Sequence, residues 1–587
     1  MRARTLLAGG LALAAVTAPA YMTEFQIIQM NYIGMGALIA LGLVMLTGVA
    51  GVMSFGQQVF AGIAAYVTAV LSVQYGASAW TGLFAGLIIV ALASVFLGLI
   101  TLRLSGHFMP IATLSWGLAI YFVFGNLDIL GKHTGLSNVP PVAIGTLSLD
   151  RPGFAYYLIW IVLVAFLYAC GNLLDSRNGR AIRALRSRAA MAESFGVDVA
   201  RIKLAVFMLA ALLAGVSGWF YAHVMGFVSP TAFNVQAGID YLFMAVLGGA
   251  ASVWGALVGA GILTVLKVHL AGWMPASAGT SGNFEIIVLG LLFLLVLHRA
   301  PRGVTPLLAG WLPAGASPRI LQTTDVQPLP RRAMPTEPTV LQVSGATRRF
   351  GGLVAVNSLS FEVRRGEVLG LIGPNGAGKS TMFNLISGAL LRDAGEITYR
   401  GERIDGLSPA EIARRGITRT FQHVNLLGRM SVLENVAMGA HLRGRCGMFA
   451  SMIRADRDEE QRLLAEAARQ LERVGLAQYL HAPAGSLSLG QQRLVEIARA
   501  LCADPGLLLL DEPAAGLRYG EKQALAQLLA SLRAEGLSIL LVEHDMEFLM
   551  GLADRVVVMQ FGQLLTTGSP DEVQKNPAVV EAYLGSE

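Results

Sequence analysis

Charge is scarce in the first half of this chain: of its 82 Lys, Arg, Asp and Glu residues, 22 fall in residues 1–300 and 60 in residues 301–587. Apolar runs near twenty residues recur in that first half, so it reads as a helical membrane domain. The second half lacks such runs. Its short apolar stretches alternate with charged, helix-forming segments, the pattern of a soluble α/β domain. At 587 residues the chain is too long for one core, and at least two domains are expected. Cysteine is scarcer still. Cys170, Cys446 and Cys502 lie far apart without metal-ligand spacing, which excludes a disulfide framework or a zinc site and leaves them as packing residues. The net charge of +6 invites a nucleic-acid partner, but the arginines cluster in one membrane-domain loop and are otherwise interspersed with acids. No nucleic acid is implied. Lipid at the cytoplasmic face explains the charge better.

Arg2 and Arg4 precede an apolar stretch over 6–20, whose Ala18-Pro19-Ala20 resembles a signal-peptidase site; further spans follow at once, which favours a retained first span. Spans are expected at 33–53, 56–73, 79–102, 108–125, 154–171 and 204–225. The loop 127–153 is poor in basic residues and fits the outer side. The loop 172–203 carries seven Arg or Lys against three acids and fits the inner side, as does Arg103. Arg299 and Arg302 mark a cytoplasmic exit, so an odd number of crossings must follow the outer loop after Met225. The stretch 241–270 is therefore split at the small residues 248–255, and 284–297 supplies the last crossing, giving about ten spans. Within the spans, scattered Gly, Ser, Thr and Gln occur but no buried pair of opposite charges that would read a zwitterion. Gln57, Gln58 and Ser115 are assigned to hydrogen bonds between helices rather than to a solute path. In the basic loop, Arg180, Arg183 and Arg186 fall on roughly one helical face, with a second short helix over 189–195. Spacing alone leaves two readings, a docking knob or an anchor in the inner leaflet.

Residues 300–338 hold eight of the 22 prolines and read as a linker without a core of its own, dividing the chain into 1–300, 301–338 and 339–587. Beyond it, Gly373-Pro374-Asn375-Gly376-Ala377-Gly378-Lys379-Ser380-Thr381 satisfies the pattern of a phosphate-binding loop. A short apolar strand precedes it and a helix follows, the context the motif requires. Its glycines turn backbone N–H groups towards phosphate, Lys379 reaches the β- and γ-phosphates of ATP, and Ser380 ligates Mg²⁺. Leu507 to Leu510 form an apolar strand that ends in Asp511 and Glu512. A buried parallel strand ends in this way beside a nucleotide, with Asp511 holding the Mg²⁺ shell and Glu512 polarising water. Phe350, ahead of the loop, is a candidate to stack on adenine or an ordinary core residue.

Leu487-Ser488-Leu489-Gly490-Gln491 resembles the signature motif of ATP-binding cassette proteins, Gln422 their Q-loop glutamine and His544 their switch histidine. Within that superfamily, Arg419 to His423 and the tail 576–585 resemble an ATPase subunit of the branched-chain amino acid importers. Residues 180–221 and 246–261 are similar to a permease subunit of the same systems. The resemblance implies a permease fused to its ATPase, with nucleotide between the phosphate loop of one ATPase and Ser488, Gly490 and Gln491 of another. It assigns Gln422 to the metal and the water, His544 and Glu512 to hydrolysis, and the basic loop to coupling. It also implies a second, unlike permease and ATPase, a periplasmic or extracellular solute-binding protein, and a bacterial inner membrane with the ATPase cytoplasmic. The expected function is ATP-driven import of branched-chain amino acids or related small polar solutes. Two departures stand out: Leu489 replaces a common glycine, and Arg518 stands where the D-loop usually carries Asp or Asn. Fusion of membrane and ATPase domains is also common among exporters, and an ATP-gated channel shares the same parts. The short loops, only one of them long and basic, argue against an exporter, and uptake stoichiometry separates a channel.

Overall fold

The computed structural model describes residues 16–104, 106, 108–144, 147–148, 152–273, 282–308, 326–332 and 337–584. Most of the apolar stretch over 6–20 lies outside these residues. The first described long helix, Glu24–Leu43, starts nine residues earlier than the span expected at 33–53, because Thr23 and Gln26 form a reciprocal N-terminal cap. It runs on as a π-helical segment, Val44–Val49, and is buried almost all round from Ile33 onward. A helix apolar on every side belongs at the centre of a bundle. Around it pack Pro152–Leu174, Val199–Met225 and Val253–Trp273.

Gln57–Gln74 and Ala79–Thr101 lie against Val199–Met225. On Ala79–Thr101 the residues Gly82, Gly86, Ser94 and Gly98 face inward, while Phe84, Ile88, Leu92 and Phe96 are exposed. Small residues let helix backbones approach, and the outward apolar stripe faces lipid. Among the described residues six helices are long and apolar enough to cross a membrane. Val235–Gly248 and Ile287–Arg299 are shorter, so a count of about ten is not reached among them. The split within 241–270 is observed: Val235–Gly248 and Val253–Trp273 meet at a turn where Gly249 has φ of +119°. Chain leaving the last helix, Gly282–Arg299, returns to that turn, with the Val304 N–H on the Leu247 carbonyl at 2.9 Å and the Thr305 hydroxyl on the Gly248 carbonyl. On the opposite side, β1 (Leu136–Ser137) pairs antiparallel with β4 (Phe227–Val228), and β2 (Ala143–Ile144) with β3 (Leu147–Ser148).

Two sequence expectations for the bundle are corrected. Gln57 and Ser115 bond locally, to the Ser54 hydroxyl at 3.4 Å and to the Ile111 carbonyl at 2.9 Å, not between helices. Asp240 and Lys267 do form a pair of opposite charges, with Nζ and Oδ2 2.5 Å apart. Asp240 escaped notice because Asn234 caps the helix and starts it at Val235, six residues before the span expected from 241.

The second half begins with an antiparallel sheet, in which β5 (Thr339–Phe350) lies between β6 (Leu353–Arg364) and β8 (Ala394–Tyr399), with β9 (Glu402–Arg403) at its edge. A six-stranded sheet follows in the order β10 (Ile417–Arg419), β11 (Leu507–Asp511), β12 (Ser538–Val542), β7 (Val368–Ile372), β13 (Arg555–Gln560), β14 (Gln563–Gly568). All its pairs are parallel except β13 with β14. Strands β7, β11 and β12 are buried along their whole length, as their predominantly apolar sequences require. A helical layer formed by Val432–Ala437, Arg457–Arg473 and Leu489–Cys502 completes this half. The Pro-rich stretch is not wholly apart from that layer. Leu329 is buried in it, the Arg332 N–H donates to Asp504, and Arg443 donates to the Pro330 carbonyl at 3.1 Å.

Candidate functional site

Strand order explains the site. Because β10, β11, β12 and β7 lie side by side and parallel, their C-terminal ends bring four distant segments to one edge: Thr420 to Gln422, Asp511 with Glu512, Glu543 with His544, and the phosphate loop. The loop itself depends on glycine at two points. A Cβ on Gly373, at φ +153°, would lie 2.2 Å from the Met559 carbonyl, and one on Gly378, at φ +100°, 2.3 Å from the Ala355 carbonyl. Pro374, Asn375, Gly376 and Ala377 complete the turn, and Lys379, Ser380 and Thr381 open the helix Lys379–Ile386. The Lys379 ammonium donates to the Gly373 and Pro374 carbonyls at 2.7 and 3.1 Å. Burial lowers its pKa, against the nearby Glu512 and Asp511 carboxylates that raise it.

Glu512 is the meeting point. Its Oε1 accepts from Gln422 Nε2 at 3.0 Å and lies 3.1 Å from His544 Nε2, while its backbone sits at φ +49°, a region few non-glycine residues adopt. Asp511 is buried, which raises its pKa, and its Oδ1 has no hydrogen-bond partner. An orphaned, buried carboxylate oxygen at the sheet edge that also carries the phosphate loop is a hard oxygen donor of the kind that suits Mg²⁺. Phe350 is 44% exposed at the end of β5, with the Arg348 guanidinium 5.0 Å from its ring centre. That excludes the ordinary-core reading for it.

The signature residues sit elsewhere, at the start of Leu489–Cys502 in the helical layer. Ser488 and Gln491 cap that helix reciprocally, with the Gln491 N–H on Ser488 Oγ at 3.3 Å and the Ser488 N–H on Gln491 Oε1 at 3.1 Å. Gly490 is packed against the Glu521 carboxylate, 2.6 Å from where a Cβ would stand, and Leu489 is 52% exposed.

The basic loop folds as Arg177–Leu185, capped by Ser176, and Ala189–Glu193. It docks on the second half of the chain. Arg177 donates to the His441 and Cys446 carbonyls at 2.6 and 2.7 Å, Arg180 pairs with Glu460, and Arg183 meets Glu434 at 2.9 Å. Asn178 reaches Ser451 at 3.1 Å. Arg186 breaks the expected common face: its Nη1 turns back to the Gly48 carbonyl of the membrane bundle at 2.8 Å. The anchor reading therefore fails for Arg180 and Arg183.

From the same loop a polar chain reaches the sheet edge that holds Gln422 and Glu512. Arg188 donates to Asn425 Oδ1 at 2.7 Å, and the Asn425 N–H to Glu496 Oε1 at 2.9 Å. Glu496 also holds Arg493, whose guanidinium donates to the Phe421 carbonyl at 2.6 Å and to that of Gln422. Arg499, buried beneath Phe195 of the loop, bonds the Asn425 carbonyl at 2.9 Å. Sequence reasoning missed Arg188, Asn425, Arg493, Glu496 and Arg499. A clue was available, since five charged or amide residues among apolar neighbours require mutual partners.

Residues 26–297 match the family described as branched-chain amino acid transport system / permease component. Residues 356–515 match ABC transporter, and 563–587 branched-chain amino acid ATP-binding cassette transporter. The chain is 45% identical over 249 residues to the high-affinity branched-chain amino acid transport ATP-binding protein LivG of Salmonella typhimurium, covering 42% of this chain and 98% of that protein. It is 43% identical to BraF of Pseudomonas aeruginosa, with the same coverages. A solved nucleotide-free ATP-binding cassette from an ABC transporter aligns with 33% identity and a TM-score of 0.38, over 42% of this chain and 98% of that one.

Proposed function

The chain belongs to the branched-chain amino acid ATP-binding cassette transporters, permease and ATPase on one polypeptide, and from that premise we propose how its parts act. It is a membrane protein, an importer whose ATP hydrolysis is coupled to transport. The division we assign is a permease over 1–300, a linker over 301–338 and an ATPase over 339–587, in a bacterial inner membrane with the ATPase cytoplasmic. A second permease, a second ATPase and a solute-binding protein complete the transporter.

The observation that carries this reading is the continuous polar chain from Arg188 in the permease loop to Gln422 and Glu512 at the hydrolytic edge. In our reading the phosphate-loop amides from Gly373 to Thr381 and Lys379 hold the phosphates, and Phe350 stacks on adenine. Ser380, Asp511 and Gln422 would hold Mg²⁺, which neutralises charge on the transferred phosphoryl group. Glu512 takes the proton of the attacking water and His544 fixes its position. Ser488, Gly490 and Gln491 close on the partner's nucleotide. Movement of the permease loop shifts Asn425 and, through Arg493, the Q-loop, so that hydrolysis answers to the state of the bundle.

The test is reconstitution of this chain with its partner subunits in vesicles. ATP-dependent accumulation of leucine, with ATPase activity stimulated by loaded binding protein, is the expected result. ATPase activity indifferent to binding protein, with no accumulation, would refute the reading.

A further inference from the structure

One cavity lies within the membrane bundle, about 370 Å³ in volume, between Glu24–Leu43, Val199–Met225, Val235–Gly248 and Val253–Trp273. That is within the size of small-molecule sites. Its walls are mostly apolar, with Met35, Ile39 and Met244 among them; its charged groups are the Asp240–Lys267 pair, and Thr264, Ser217 and the tyrosines Tyr32, Tyr221 and Tyr241 supply the other polar lining. Gln236 steadies the pair from one turn away, its amide 3.3 Å from Asp240 Oδ1. The aspartate and lysine side chains are 14% and 30% exposed.

Depth matters. Asp240 lies eight residues before the Gly248 turn, about 12 Å along its helix, and Lys267 fourteen residues beyond Val253, about 21 Å along the next. Both charges thus lie more than two turns from that end of the bundle, on predominantly apolar helices. Ionisable groups at such depth are costly and mark solute or ion pathways by default, whereas helix association alone needs only small residues and hydroxyls.

We propose that this cavity is the solute site of the permease, and that Asp240 and Lys267 read the ammonium and carboxylate of an α-amino acid. The inference rests on the importer reading above. In the empty site the two residues satisfy each other. An entering zwitterion parts them: its ammonium takes Asp240, its carboxylate takes Lys267, and its aliphatic side chain lies against Met35, Ile39 and Met244. No uncompensated charge is created at either stage, which keeps the exchange inexpensive in a low-dielectric setting. A solute lacking either charge forgoes one of the two charge-assisted contacts on offer, and the site disfavours it for that reason.

The bland alternative is an ion pair that only holds two helices together. The variant Asp240→Asn with Lys267→Gln separates them, because removing both charges of a buried pair is often neutral for folding. In vesicles carrying the complete transporter and saturating leucine-loaded binding protein, we expect leucine uptake to fall about tenfold or more, as loss of a charge-assisted contact implies. Melting temperature should stay near that of the wild type. Undiminished uptake by the double variant, beside normal wild-type uptake, overturns the site. Failure of the wild-type transporter to accumulate leucine refutes the importer reading instead. Should the double variant fail to insert, Thr264→Phe decides in its place, since it fills the cavity and keeps both charges; unchanged leucine uptake by it overturns the proposal.

Discussion

Arg180 of the permease loop and Glu460 of the ATPase half meet in a two-pronged ion pair, with side chains 3% and 2% exposed. Two charges taken so far out of water are useful only while both are present. Glu460→Ala leaves a buried guanidinium alone, at a cost of about 3–5 kcal/mol, and should abolish stimulation of ATPase activity by loaded binding protein. Arg180→Met with Glu460→Met should recover most of the lost thermal stability. Arg183→Ala breaks a half-exposed pair worth about 1 kcal/mol or less, so its effect on stimulation should be small. Stimulated and basal ATPase rates, with melting temperatures, check all three.

Glu512→Gln replaces the carboxylate by an amide, which can still bond Gln422 and His544 but cannot take a proton. Turnover should fall by about 10²–10⁴ while nucleotide affinity persists. Lys379→Ala should weaken ATP binding itself. Single-turnover hydrolysis and equilibrium nucleotide binding separate the two, and a Glu512→Gln transporter with full turnover would remove Glu512 from the role of base.

His441 gives the docking region a pH dependence. Burial first, then Arg177 and Arg180, lower its pKa to about 3, so the folded protein holds it neutral while the unfolded chain titrates near 6.5. Its contribution to stability is complete above pH 6.5 and is lost progressively as pH falls towards 3, by about 1.4 kcal/mol per unit. Melting temperature should therefore drop on acidification below pH 6.5. His441→Leu should flatten that slope, and an unchanged slope would show that other groups carry it.

Arg518 is exposed before the helix Tyr519–Ala534, and its backbone N–H donates to Glu521 at 2.8 Å. Arg518→Asp restores a favoured helix cap, which should raise stability by about 1 kcal/mol. We propose a second effect: the loop that holds Arg518 faces the partner's nucleotide, which makes the two composite ATP sites unequal. ATPase activity should change in Arg518→Asp, and Glu512→Gln here should cost more activity than its counterpart in the partner. Equal losses from the two glutamine variants, with Arg518→Asp altering stability alone, would disprove unequal sites.

The phosphate loop and the strand ending in Asp511 were legible because their chemistry is local: a glycine pattern and an apolar run each specify themselves. The turn at Gly248 was legible for the same reason. What sequence did not show was long-range. Glu496 looks like any helical glutamate until Asn425 and Arg493 close on it, and Asp240 looks like a loop residue until Asn234 moves the helix start upstream. Arg186 shares a helical spacing with Arg180 and Arg183, yet the Gly48 carbonyl, left open by the π-helical segment, draws it the other way. Periodicity assigns a face to a residue but not a partner.

The stretch that carries Leu329 and Arg332 ties the ATPase to the chain leaving the permease, beside contacts that the Arg177–Leu185 helix makes. Between separate subunits, a weakened contact of this kind would let the ATPase diffuse away. Here it reopens and recloses at an effective concentration that the polypeptide sets and dilution does not change. Dilution should not strip the ATPase from the membrane, and damage at the docking helix should register as futile hydrolysis by a complex that is still whole.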